Sequence, residues 1–146
     1  MRINRLITTA GFLLLTLSVL CQTGKLEQKI KEQYTIAGDY IKLGYTEKAI
    51  PQLHWLIKNA PSFSASVQSW AIEAFETAAG NTNNDSKKQV LLDSMIIAYK
   101  SKAEHFELTE LEKNKLAFRY FKYYLNDAEK LKEALPLFKE IFTNPD

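Results

Sequence analysis

The stretch IKEQYTIAGDYIKLGYTEKAIPQLHWLIKNAPSF, residues 30–63, carries most of what decides the fold. Its apolar residues recur at three- and four-residue steps, the period of a helix, and none of it alternates as a strand would. Ile30, Tyr34, Ala37 and Ile41 line one side of a helix that starts near Leu26 and stops at Gly44, where glycine suits a helix C-terminus. Thr46 opens a second helix, with Ala49, Leu53, Leu56 and Ile57 inward and Pro61 closing it. Pro51 stands slightly late for the first turn, where a missing N–H costs least, so an irregular first turn is expected. Two amphipathic helices joined by a short glycine turn make an antiparallel pair.

The same periodicity runs on toward the C-terminus. Val67, Trp70, Ala71, Ala74 and Phe75 mark a third helix ending near Gly80, and the polar stretch Asn81 to Ser86 supplies caps for a fourth. Leu92, Met95, Ile96, Tyr99, Ala103 and Phe106 form the inward stripe of that fourth helix. Leu111, Phe118, Phe121 and Leu125 do so for the fifth, and Leu131, Ala134, Leu135, Phe138, Ile141 and Phe142 for the sixth. Ala134-Leu135-Pro136-Leu137-Phe138 echoes Ala49-Ile50-Pro51-Gln52-Leu53, so both prolines are expected at a similar helix start. The expected fold is all-α, about three antiparallel helix pairs.

Upstream of this lies a segment of another kind. Arg2 and Arg5 precede an uncharged run from Leu6 to Leu20, apolar on every face. A basic start and an apolar core of this length form a secretory signal peptide, and the run is short for a membrane-spanning helix. Residues 1–21 are therefore read as signal and 22–146 as the helical domain. Cys21, the only cysteine, stands where a lipoprotein carries its lipidated residue, but Leu20 fills the preceding position, which normally holds a small side chain. Val19 and Cys21 allow an ordinary cut before Gln22, which is the favoured outcome. Either route places the working protein in the cell envelope, in the periplasm or attached to a membrane. Removing the segment takes away two arginines and no acids, so the net charge of +2 falls to zero. A neutral chain lacks the concentrated positive field that nucleic-acid binding requires.

Residues 30–63 resemble the tetratricopeptide repeat family, whose unit is a helix–turn–helix of roughly 34 residues. Ile36, Ala37, Tyr40, Gly44, Ala49, Leu53, Leu56 and Pro61 fall on the family's small and large positions. Phe118, Phe121, Leu125, Ala134, Phe138 and Ile141 fall on them again near the C-terminus. The resemblance, which extends to short envelope proteins of Gram-negative bacteria, implies a solenoid whose first helices line a peptide-binding groove. Carried over by position, it implies Lys31, Tyr34 and Lys42 from the first pair and Gln68, Ser69 and Glu76 from the second. From the third it implies Arg119, Tyr120 and Tyr123. Tyr34, Thr35 and Gly38 stand where the family's chaperone-tail binders carry a lysine and two asparagines, so that activity is not implied.

Catalytic constellations are not found in the sequence. His54 and His105 are far apart and have no second ligand at helical spacing, whereas a metal site needs three or four convergent ligands. Glu73 and Glu76, and Glu107, Glu110 and Glu112, read as solvated helix faces. No glycine-rich phosphate loop or nucleophile elbow occurs. The expectation is a non-catalytic protein- or peptide-binding scaffold without cofactor or metal. The other reading is a self-associating or accessory subunit of a larger envelope complex. A repeat end without a polar cap leaves apolar surface open, so Leu137, Ile141 or their neighbours are expected to contact a second copy or another protein.

Overall fold

The computed structural model describes residues 24–143, which fold into α-helices with no strand. The helices are α1 over residues 24–42, α2 Ile50–Asn59, α3 Ala65–Asn81, α4 Asp85–His105, α5 Glu110–Tyr124 and α6 Ala128–Thr143. The segment read as a signal, with Cys21, lies outside the described residues.

Local chemistry sets each boundary. Helix α1 ends where the Tyr45 N–H donates to the Tyr40 carbonyl at 2.8 Å and the Gly44 N–H to Ile41 at 3.0 Å. Gly44 has φ +74°, left-handed backbone that glycine adopts at least cost. A 3-10 turn, Thr46–Ala49, then leads into α2, and Pro51 falls in the first turn of α2. Side-chain oxygens of Ser64 and Asn84 accept backbone N–H groups at the starts of α3 and α4. A capping box of Thr109 and Glu112 starts α5. Asp127 accepts the N–H groups of Glu129 and Lys130 at 3.1 and 3.0 Å and so starts α6.

That last cap corrects an expectation. Pro136 lies inside α6, not at a helix start. Good helix formers from Ala128 to Glu133 directly follow the Asp127 cap, so the helix is already established before Pro136 is reached. The proline then leaves one carbonyl of the preceding turn without its intrahelical donor.

Helix α3 is central. It packs along α4 and against α2 and the turn before it, while α5 packs on α6; α4 and α5 meet much less. Leu53, Leu56, Val67, Phe75, Met95 and Ile96 fill the interior. Helix α1 joins at Gly38, where a Cβ would stand 3.4 Å from the Trp70 ring, so a longer side chain would press on the indole.

The inward side of α5 differs from the expected one. Leu111, Phe118, Phe121 and Leu125 are exposed, and Leu116, Ala117, Tyr120 and Tyr124 are buried instead. The tyrosines can occupy the interior because other helices satisfy their hydroxyls: Tyr124 donates to Asp93 at 3.0 Å and Tyr120 to Glu133 at 3.5 Å. On α6, Leu135 and Phe142 are likewise exposed and Ala134 is buried. On α4, Ala103 is exposed, whereas Ser101 and Lys102 are buried.

Candidate functional site

Side chains of α3, α4 and α5 reach one another in a polar cluster. The Glu76 carboxylate accepts from Arg119 Nε at 3.0 Å and from Arg119 Nη2, and from the Tyr123 hydroxyl at 3.0 Å. The guanidinium lies over the Tyr99 ring, 5.5 Å from its centroid. Burial pushes the Tyr99 phenol up, against the opposing pull of Arg119. Deeper in, the Lys102 ammonium donates to Glu112 and, at 2.9 Å, to the Ser69 hydroxyl. Burial alone would raise the Glu112 carboxyl, but Lys102 and the Thr109 N–H and hydroxyl outweigh it and hold it below the usual value. These groups surround a cavity of about 290 Å³ lined by Ser69, Glu73, Glu76, Tyr99, Lys115, Arg119 and their neighbours. Glu76 with Arg119 and Glu112 with Lys102 neutralise one another. Glu73 and Lys115 form no ion pair among the described residues and are the charges a ligand could engage without breaking one.

Of the residues expected in the groove, Glu76, Arg119 and Tyr123 thus meet at one point. Lys31 is exposed and pairs with Glu27 of its own helix at 2.6 Å, and Lys42 is exposed at the end of α1. Tyr34 is half-buried, stacked on Trp70 with centroids 5.2 Å apart and edge-on to Phe63 at 5.3 Å, and so joins α1 to α3. Gln68 and Tyr120 belong to the interior instead. Gln68 is wholly buried and donates to the Pro61 carbonyl, holding the turn between α2 and α3; Tyr120 is buried against Glu133.

A second cavity, of about 440 Å³, lies between α2 and α4 and is lined by Phe75 and by both histidines, His54 and His105. Their separation in sequence concealed this convergence. Among the described residues, no group of three or more His, Cys, Asp or Glu side chains is placed to hold a metal ion.

The largest feature is one that the sequence reading had turned inward. Arg119 and Tyr123 of α5 face α3, and Tyr120 and Tyr124 face the interior, leaving Leu111, Phe118, Phe121 and Leu125 on the remaining side. On α6, Lys130, Glu133 and Glu140 pair with Asp93, Lys100 and Lys113, which leaves Leu135 and Phe142, seven positions apart, on another side. Among the described residues, nothing covers these six large side chains, which are between 50% and 80% exposed. Together they leave on the order of 600 Å² of apolar surface open. Lys115 and Lys122 on α5 and Lys132 and Lys139 on α6 lie three or four positions from these residues, on neighbouring helical positions.

No family model, curated protein or solved structure matches the chain.

Proposed function

We propose that this chain is a non-catalytic protein-binding scaffold or adaptor of the cell envelope, built as a short tetratricopeptide-like solenoid. Support for the arrangement comes from the packing of α3 on α4 and α5 on α6 across short connections, with Lys29 of α1 over the Trp55 ring of α2. The first helices also adjoin one another through Tyr34 on Trp70 and Arg119 on Glu76. Export rests on Arg2, Arg5 and the apolar run from Leu6 to Leu20. The observation that carries binding is the apolar exposure of α5 and α6: leaving phenylalanines at 57%, 60% and 80% exposure is costly unless something covers them. The polar cavity between α3 and α5 is a second, smaller contact region for the same partner.

The test is affinity purification of the tagged full-length chain from envelope extracts, followed by mass spectrometry. A stoichiometric protein partner is expected with the parent and is lost with Phe118→Ser/Phe121→Ser, with helicity unchanged. Equal recovery with the parent and that variant would refute binding through these phenylalanines.

A further inference from the structure

We infer that the cavity between α2 and α4 binds a small monocarboxylic acid with an apolar body. Such a site is separate from the protein-binding surface proposed above and would exist without it. The fold itself makes the space. Helices α2 and α4 each pack on α3 and scarcely on one another, which leaves a cleft of about 440 Å³ between them. That volume falls within the roughly 300–1,000 Å³ of small-molecule sites, which combine apolar walls with a few polar groups. Phe75 of α3, Ile57 of α2 and Ile97 of α4 supply apolar wall. Phe75 is buried while Ile97 is 57% exposed, so the cleft runs from the interior to an open mouth.

The polar groups select the head of the ligand. His54 and Lys58 lie one turn apart on α2, and Ser101 and His105 one turn apart on α4, and all four line the cavity. Lys58 forms no ion pair among the described residues. The Ser101 Oγ is buried and has no hydrogen-bond partner there, so turning it toward a ligand breaks no existing bond. Lys100 is held by Glu133 at 2.7 Å, and Glu104, the one acid in the lining, stands 4.0 Å from the His105 ring. Donors therefore outnumber acceptors, and a carboxylate is the head group that accepts from several donors at once. An ammonium head would meet Lys58 and Lys100 as like charges.

The probes are octanoate, 1-octanol and octylammonium, which share a chain and differ in head group. Each is titrated into the purified full chain and followed through the backbone amide signals of His54, Lys58 and Ser101 in two-dimensional NMR. Octanoate is expected to bind about tenfold tighter than octanol, and octylammonium more weakly than either. Lys58→Glu is expected to remove the advantage of octanoate over octanol. Ile97→Asp, at an exposed position that leaves helicity unchanged, is expected to abolish octanoate binding by placing a carboxylate in the apolar wall. Equal binding of the three probes, or none, overturns the inference. So does octanoate binding that persists undiminished in Ile97→Asp, because the acid would then sit elsewhere.

Discussion

The Arg119 guanidinium and the Glu76 carboxylate, 43 positions apart, join α5 to α3 with two donors on one oxygen. Tyr123 completes the carboxylate on its other oxygen. Both charged side chains are largely withdrawn from water, so each depends on the other. Arg119→Ala is expected to cost about 1–3 kcal/mol in urea denaturation, because it strands a partly buried carboxylate. Tyr123→Phe is expected to cost about 1 kcal/mol, the loss of one hydrogen bond. A cost for Arg119→Ala no larger than that of an exposed lysine would mean that Glu76 is hydrated without it.

Opposite sides of α5 differ sharply in what they tolerate. Phe118→Ser is expected to leave stability within about 0.5 kcal/mol, while Tyr120→Ala costs about 3 kcal/mol or more. Thermal denaturation of the two variants checks this. A reversed order would restore the inward stripe that the heptad spacing of Leu111, Phe118 and Leu125 suggests.

Alkaline titration separates the tyrosines. Burial, then the neighbouring Glu133 carboxylate, pushes Tyr120 up to about 12, and burial with Asp93 raises Tyr124 as well. The fold therefore favours the neutral phenol. This stabilisation is complete below the ordinary phenol value of 10.0 and is lost as pH climbs from there through the folded-state values. Phenolate absorbance is expected to rise in two phases, the later one reduced in Tyr120→Phe/Tyr124→Phe and still holding the buried Tyr99. One phase centred near the ordinary value would show that neither hydroxyl is held as described.

On the acid side the sign is opposite. Glu112 sits below its usual 4.5, so its contribution is present above that value and disappears as pH falls through the depressed one. Glu112→Gln is expected to lower stability at neutral pH by about 1–3 kcal/mol, since the buried Lys102 then loses its counter-charge, and to flatten the acid-side decline. Denaturant midpoints measured from neutral to acid pH read both effects. A midpoint unchanged at neutral pH would show that Lys102 does not need its partner.

What could be read locally was read well. Gly44 ends a helix and the Asn-rich stretch caps the next, because a single residue's backbone freedom or side-chain acceptor suffices for each. The side of α5 that turns inward was not legible. Phenylalanine outranks tyrosine in hydrophobicity, and only the fold brings Asp93 and Glu133 to the hydroxyls that make Tyr124 and Tyr120 good interior residues. Gln68 misled for a similar reason, since its burial depends on the Pro61 carbonyl across a turn. Glu76, Arg119 and Tyr123 meet through a contact between side chains of α3 and α5 that lies 43 to 47 positions apart and leaves no local mark in the sequence. Pro136 was assigned by analogy with Pro51, and the Asp127 cap nine residues earlier governs instead.

The sparse contact between α4 and α5 has a kinetic consequence. Two halves that pack densely within themselves and thinly on each other need not open together. The α5–α6 hairpin is tied to α3 and α4 mainly by side-chain pairs, Arg119 with Glu76, Lys102 with Glu112 and Tyr124 with Asp93, and is expected to open as one unit when these break. Its amide protons would then exchange as one group, faster than those of α3. A partner seated on the exposed phenylalanines of α5 would slow that exchange without touching the rest, so occupancy would be recorded as stiffness in one half of the molecule.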